Sequence, residues 1–218
     1  MAIAQVGGAA QNFTSVTTQA ITYSATAGNV VTIFIAGTPA ISNVSCVDNL
    51  GSPLVAGPTA AALIFSFYYI CPHSGVTSFT LSWTTTSTGN IEVEEYSGAL
   101  GGVNAGLAGN SASATSATAT ITVTTQDNND WIVGGIASNG QVVTITVGNQ
   151  RQASALGTIK LKLADNTVVT AGAVSITGTL TSALWAIVVL ELRSVAIAGG
   201  GTTSNWLSKA VATGINRH

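Results

Sequence analysis

The residues best suited to chemistry are three glutamates in one predicted strand, Glu92, Glu94 and Glu95. Glu92 and Glu94 are two positions apart, so in a strand they share one face, about 7 Å from each other. Paired carboxylates are typical of glycosidases, but two on one strand leave no cleft for a sugar. The pattern therefore favours a solvated face or a subunit contact over catalysis. Glu95 would point with Ile91 and Val93, which predicts a bulge or a strand end there.

The other polar residues show no spacing that predicts a metal site or a nucleophile. His73 follows Pro72 in a turn and His218 is the last residue, so the two histidines do not form a metal-ligand pair. No Gly-x-Ser-x-Gly elbow is present. The segment 127–130 offers carboxylate and amide oxygens without the spaced ligands of a calcium loop, so it predicts a hairpin turn. We therefore expect no catalytic, cofactor-binding or metal-binding residues, and no enzymatic activity.

Cys46 and Cys71 are the two cysteines of the chain. Their spacing fits neither a metal motif nor a redox motif, although one disulfide between them is conceivable. Free cysteine is among the most buried residue types, which favours two buried thiols.

Four tryptophans could form a platform on which sugars stack. Trp83, Trp131 and Trp185 lie within or beside predicted strands, so core packing is the favoured interpretation for them. Trp206 lies in the C-terminal tail and is the exception. We expect Trp206 to anchor an interface.

Hydrophobic residues alternate with polar ones along most of the chain. Phe79, Leu81 and Trp83 alternate with hydroxyl residues, and Ile159 and Leu161 alternate with lysines. This period of two predicts half-buried strands, and clusters of Gly, Asn, Asp, Ser and Pro between them predict turns. Many short strands with frequent turns predict an all-β protein, built as a two-sheet antiparallel sandwich resembling a jelly roll.

A weak internal repeat divides the predicted sandwich into two halves. Residues 28–37 resemble 129–138 at an offset of 101, and residues 79–94 resemble 174–189 at an offset of 95. We expect one β-sandwich domain over residues 1–193, with halves at about 1–98 and 117–193. Two tandem immunoglobulin-like domains are the alternative, but no Pro-rich or charged linker separates the halves.

The repeat predicts one difference between the halves. At the offset of 95, Glu92 and Glu94 match Ile187 and Val189. The first half would then turn a charged face outward where the second turns an apolar one. Because the strand at 185–192 is apolar on both faces, its outer face needs a cover, from this chain or from a neighbouring subunit. These four residues are therefore candidate interface residues.

The C-terminal tail, residues 194–218, could supply such a cover. Three glycines at 199–201 interrupt the β pattern, and Ser204 resembles a helix N-cap. A short helix after it would carry its apolar residues on one face. We expect a Gly-hinged arm that docks on a neighbouring subunit or on its own domain. Its candidate interface residues are Trp206, Leu207, Ala210 and Val211.

Composition excludes several classes of protein. Six Lys and Arg against eight Asp and Glu give a net charge of -2, which argues against nucleic-acid binding. The longest apolar stretches, at 60–70 and 183–190, are shorter than the roughly 20 residues of a membrane-spanning helix, and the start predicts no signal peptide. Charged residues make up 6% of the chain, against about 25% in an average soluble domain. A surface so poor in charge favours association with other copies.

Several segments together resemble a family of β-sandwich structural proteins of tailed bacteriophages and related environmental sequences. They include the opening Met1–Ala4, residues 41–51, Val93–Gly98, Asp130–Gly135 and Trp185–Leu192. The resemblance covers about residues 1–193. It implies the architecture and a place in a virion, and it carries no catalytic residue.

The resemblance and the composition lead to one functional hypothesis. We expect a structural subunit of a phage particle, a head decoration or auxiliary protein, that forms homo-oligomers and contacts a capsid protein. It would be assembled in the host cytoplasm. The alternatives are a carbohydrate-binding module of a tail fibre or surface protein, which would bind host glycans, and a subunit of an extracellular filament.

Overall fold

The computed structural model describes residues 2–100, 111–154 and 158–194. These residues form thirteen β-strands and no helix, so none of them lies in a helix that could cross a membrane. The strands are β1 (Ala4–Thr22), β2 (Val30–Thr38), β3 (Ser45–Asp48), β4 (Val55–Ala60), β5 (Ile64–Ile70), β6 (Ser78–Ser97), β7 (Ala99–Leu100), β8 (Ser111–Thr124), β9 (Trp131–Asn139), β10 (Thr144–Val147), β11 (Asn149–Ser154), β12 (Ile159–Thr167) and β13 (Ala173–Ser194). The predicted arm lies outside the described residues, except for Ser194.

The strands form two antiparallel sheets, one from each half of the chain. The first sheet has the order β1-β6-β2-β5-β4, with β3 also paired to β6. The second has the order β10-β13-β9-β12-β11, with β7 and β8 also paired to β13. The predicted class, an all-β two-sheet antiparallel sandwich built from two pseudo-repeated halves, is confirmed.

The strand registers show how the two halves correspond. In the first half Val30 lies opposite Tyr96, and in the second Trp131 lies opposite Leu192. Val30 and Trp131 are 101 positions apart, as predicted, but Tyr96 and Leu192 are 96 apart. The offset of 95 therefore fails at the ends of β6 and β13, where the second half holds one more residue. A slip of one residue exchanges the two faces of a strand.

The core has three parts, one between the sheets and one inside each half. The central core packs Phe34 and Tyr96 of the first sheet against Leu161 and Val188 of the second. Each half has a core of its own because distant parts of its longest strand, β6 or β13, pack in one cluster. In β6, for example, Leu81 near one end joins the same cluster as residues near the other end. The corresponding cluster of the second half includes Ile121, Ile136 and Ile187.

The strand that is apolar on both faces receives both of its covers from this chain. Ala186 and Val188 of β13 face the central core, and Ile187 and Val189 face the core of the second half. All four are fully buried. The apolar pattern at 185–192 is thus explained without a neighbouring subunit.

Candidate functional site

Glu92 and Glu94 lie in β6 and face the second sheet. The register with β2 sets Glu92 opposite Phe34 and Glu94 opposite Thr32, at the centre of the first sheet. Both glutamates have a relative exposure of 0%. The expectation that they form an outward charged face is wrong, because the corrected offset aligns them with the inward-facing Val188 and Leu190 of β13.

The other predicted interface residues divide into two groups. Ile187 and Val189 are also 0% exposed, because they pack in the core of the second half. They cannot contact a neighbouring subunit in this fold, so their assignment to an interface is wrong. The four residues of the arm, Trp206, Leu207, Ala210 and Val211, lie outside the described residues, and their role stays a prediction.

Of the two features predicted at Glu95, a bulge or a strand end, β6 has no bulge there, and the strand ends two residues later at Ser97. The pairing of β6 with β2 runs without a break from Thr88 to Tyr96. The irregularity lies in β1, where Val6 is the extra residue between Gln5 and Gly7. Glu95 therefore does point to the same side as the apolar residues Ile91 and Val93, and it is buried there.

Glu92 is buried without a hydrogen bond to either carboxyl oxygen. Burial, with a smaller contribution from the neighbouring Glu94, raises the pKa of Glu92 to about 8. Ser154 and Lys162, both from the second half, lower the pKa but do not cancel the effect of burial. Burial in an apolar setting disfavours the ionised form of a carboxyl group. Burial therefore favours the protonated form of Glu92.

Glu94 has a hydrogen-bond donor at one of its two carboxyl oxygens. Gln5 donates from Nε2 to Glu94 Oε2 over 2.9 Å, and Oε1 is buried with no hydrogen bond. Burial raises the pKa of Glu94 to about 7, while Gln5, Gln152 and Arg151 lower it. Gly8 makes room for this side chain, because a Cβ there would lie 2.6 Å from Glu94 Oε1 and 2.5 Å from the Val93 carbonyl oxygen.

Asp165 supplies a third buried carboxyl group, this one from the second half. Arg151 Nε lies 2.6 Å from Asp165 Oδ2, and Tyr96 donates its hydroxyl to the same oxygen over 3.1 Å. Asp165 is fully buried, whereas a quarter of the Arg151 side chain is exposed. Burial and the Asp165 charge hold the pKa of the Tyr96 hydroxyl well above its usual value. We call Glu92, Glu94 and Asp165 the carboxyl seam.

Around the carboxyl seam, polar contacts as well as apolar packing join the two halves. Tyr96 reaches across from β6 to Asp165 in β12. Asn90, also fully buried in β6, donates to the carbonyl oxygen of Ile159 over 2.7 Å. Directional bonds of this kind fix the relative position of two sheets more closely than apolar contact alone.

A second pair of buried glutamates holds equivalent loops in the two halves. Glu95 accepts hydrogen bonds from the Tyr23 hydroxyl (2.7 Å), the Thr26 amide (3.0 Å) and Asn29 Nδ2 (2.6 Å). Glu191, 96 positions later, accepts from the Gln126 amide over 3.0 Å. Each carboxyl group thus fastens the loop that leads into β2 or β9. Burial raises the pKa of Glu191.

The cysteines and the strand tryptophans have structural positions. Cys46 and Cys71 are free and buried, which confirms the favoured interpretation. Trp83 and Trp185 are buried in the cores of the two halves. Trp131 is partly buried and packs edge-on against Tyr96, with ring centroids 5.8 Å apart.

The acidic turn at 127–130 is held by its own contacts. Asp130 is fully buried and accepts from the Asp127 and Ser194 amides, at 3.0 and 2.8 Å. Asp127 pairs with Arg193. In the described part of the chain, no group of three His, Cys, Asp or Glu residues could hold a metal ion.

Burial also decides what the carboxyl seam can do. General acid catalysis requires contact with a substrate, and neither Glu92 nor Glu94 has exposed surface. The sequence pattern did not reveal Asp165 and Arg151, which no motif distinguishes. The sequence did contain a signal that Glu92 and Glu94 are buried. The strand Val30–Ala36 is apolar on both faces, which predicts that its sheet is covered on both sides.

The exterior differs from the interior in its charge. Most acidic residues of the chain are buried, so the few ionised groups at the surface are mainly basic. Asp127 is the one acidic residue that is not buried, out of eight in the sequence. The buried ones are Asp48, Glu92, Glu94, Glu95, Asp130, Asp165 and Glu191. The exposed surface is therefore even poorer in carboxylates than the composition indicates.

Fold and site together define a two-sheet β-sandwich of two pseudo-repeated halves, joined by buried carboxyl groups. No protein-family model matches the sequence, and no curated protein matches it.

Proposed function

We propose that the chain is a non-enzymatic structural subunit of a bacteriophage virion, a decoration or auxiliary protein of the head. It assembles by contacts with copies of itself and with a capsid protein. The observation that carries this proposal is the exterior, which has lost nearly all of its carboxylates to the interior. A surface with so few charged groups has little of the repulsion that keeps soluble monomers apart.

The outer strands support the proposal. β1 and β8 together present two long, mostly exposed strands without a single charged side chain. Apart from Val6, their exposed positions carry Ser, Thr, Gln, Asn and Ala, which can form hydrogen bonds or close contacts without bringing charges together. The resemblance of residues 1–193 to phage structural proteins points to the same role.

Purified particles provide the test. Virions of the phage that encodes the chain should contain it in many copies, as measured by quantitative mass spectrometry of density-banded particles. The copy number should stand in a fixed ratio to the capsid protein. If the chain is absent from banded particles and stays in the soluble fraction of the lysate, the virion role is refuted.

The arrangement of aromatic residues does not favour a carbohydrate-binding module. Such a module needs exposed aromatic rings beside a polar groove, because sugars stack on ring faces. Among the described residues the large hydrophobic side chains that are exposed are aliphatic, such as Val142, Val169 and Leu184. A glycan array with the purified chain should therefore give no signal above that of a charge-matched control protein.

A further inference from the structure

We propose that two copies of the chain pair edge to edge through β8 (Ser111–Thr124), antiparallel and about a two-fold axis near the middle of the strand. The inference rests on the proposed function and names the contact surface that it needs. The joined β8 strands would make one continuous sheet from the second sheets of the two copies. Backbone N–H and C=O groups on a free strand edge are a ready template for such pairing.

Every edge strand of the first sheet carries a feature that hinders pairing. β1 has extra residues at two places, and at one of them Ser15 has a left-handed φ of 51°. β4 has an extra residue next to Phe67, in a stretch that includes Pro58. β3 is only four residues long, and Val47 forms a bridge with Pro53. Bulges, prolines and short edges are the means by which natural sheets avoid joining one another.

Two edge strands of the second sheet are hindered in the same way. β11 holds an extra residue between Gln150 and Ala153, and this stretch includes Arg151. β10 is four residues long with an extra residue, Thr146. Neither strand offers a long regular edge to a second chain.

β8 carries none of these features. It is fourteen residues long and contains no charged residue, no proline and no glycine. Among the described residues it pairs with β13 alone, and none of them pairs with its other edge. Its ladder has one irregularity, and the extra residues belong to β13, where Leu180–Ser182 lie opposite Ala117. The backbone of β8 is without a residue of positive φ.

The side chains of β8 already form the contacts that a β8–β8 pair would repeat. On its outward face Thr120 bonds to Thr177 over 2.7 Å, and Thr122 bonds to Ser175 over 2.8 Å. Hydroxyl pairs of this kind stabilise neighbouring strands. A second β8 would offer the same hydroxyl residues to the free side of the ladder.

A second copy of the chain fits this edge better than a different partner does. The strand has no charge that would select a basic or an acidic partner, and a neutral strand does not repel its own copy. Pairing about a two-fold axis uses the same surface on both molecules, so both free edges disappear in one closed contact. Segments 101–110 or 195–218 of the same chain are the other possible occupants, and the experiment below separates them.

The test measures the oligomeric state of the full chain by sedimentation velocity over a concentration series. Thr118 is exposed, lies near the middle of β8, and its side chain makes no hydrogen bond in the described structure. Thr118→Lys would bring two lysines together at the two-fold axis. We expect the dimer Kd to rise at least about 100-fold, because the substitution places two like charges next to each other in the interface. The matched control is Thr17→Lys, an exposed threonine of β1, which should leave the Kd unchanged.

Charge exchange identifies the occupant. Mixing Thr118→Lys with Thr118→Glu chains should restore a dimer that contains one of each, because opposite charges then meet at the axis. Pairing of β8 with a segment of its own chain gives a monomer in the original protein and no mixed dimer. Either of those two results overturns the proposal, and so does an equal effect of Thr17→Lys.

If the lysine variant fails to fold, hydrogen exchange of the unaltered chain tests the pairing instead. On dilution below the dimer Kd, hydrogen exchange of the β8 amides should speed up at least about tenfold, while exchange in β1 stays unchanged. Equal exchange at high and low concentration refutes the pairing. A dimer through β8 in a chain absent from virions would refute only the proposed function. A chain that is found in virions but is monomeric in solution at every concentration would refute only the β8 contact.

Discussion

The two halves contribute different side chains to equivalent positions of the central core. In the first half β6 presents Glu92 and Glu94, and in the second half β13 presents Val188 and Leu190. The backbones are paired in the same way. The comparison shows that one strand position accepts either an aliphatic side chain or a carboxyl group, provided that the carboxyl group keeps a proton or finds a donor.

The neighbours of each position decide which side chain it can hold. Glu94 has Gln5 as a donor, and the absence of a side chain at Gly8 gives it space. Leu190 instead lies against Gly57, where a Cβ would come within 2.8 Å of its Cδ2 atom. The two positions are thus equivalent in backbone pairing but not in their surroundings.

Exchanging the two kinds of residue should have the largest effect. Leu190→Glu would bury a carboxyl group without the donor that Glu94 has, and we expect a loss of more than about 4 kcal/mol in unfolding free energy. The matched exchange, Glu94→Leu, should cost less than about 1.5 kcal/mol, because it removes a group that is only partly satisfied. Urea unfolding at pH 7 measures both. Similar losses for the two variants would mean that their surroundings do not differ in the way described.

The pH dependence of stability should be the next largest effect. In the folded chain the pKa values of Glu92 and Glu94 are about 8 and about 7, against 4.5 without burial. The folded state therefore holds protons that the unfolded state releases, and stability falls as the pH rises from about 4.5 to about 8. The slope is about 1.4 kcal/mol per pH unit for each group that stays protonated. Urea midpoints from pH 5 to pH 9 should decrease, and a rise over this range would contradict the assignment.

A neutral replacement of Glu92 should sharpen that result. Glu92→Gln cannot ionise, so at pH 9 the variant should be more stable than the original chain by about 5 kcal/mol, the slope multiplied by the width of the window. At pH 5, where Glu92 is already neutral, the two should agree within about 1 kcal/mol. Asp127→Asn, at a half-buried surface position, serves as the control and should leave the slope unchanged. If Glu92→Gln also leaves the slope unchanged, Glu92 is not the titrating group.

The sequence alone predicted the fold class because period-two alternation and turn residues are local signals. Phe79, Leu81 and Trp83 lie on one face of β6 and pack in one core, as their spacing predicts. The pattern could not show which sheet covers which face. That depends on which cluster each part of β6 and β13 joins, and these clusters bring together residues that are far apart in the chain.

The candidate site was harder to predict for a related reason. A constant offset of 95 aligned Glu92 with Ile187. The second half is one residue longer here, so Glu92 corresponds instead to Val188, which lies on the opposite face of the strand. Local charge patterns also favour an exposed position, because ionised carboxylates are costly to bury. The protonated state that makes burial possible here depends on the second half, which no local pattern of the first half contains.

The smallest changes in stability should come from substitutions of the second pair of glutamates, Glu95 and Glu191. These two residues occupy equivalent positions in the two halves. Glu95 accepts three hydrogen bonds and Glu191 one from the loop that each fastens. Glu95→Gln replaces an acceptor oxygen by a donor that faces other donors, so we expect a loss of about 2 kcal/mol. Glu191→Gln should cost less than about 1 kcal/mol, because burial raises the pKa of Glu191 and the amide resembles its neutral form. Thermal unfolding of both variants at pH 6 tests the difference, and a larger loss for Glu191→Gln would show that the two loops are not held in the same way.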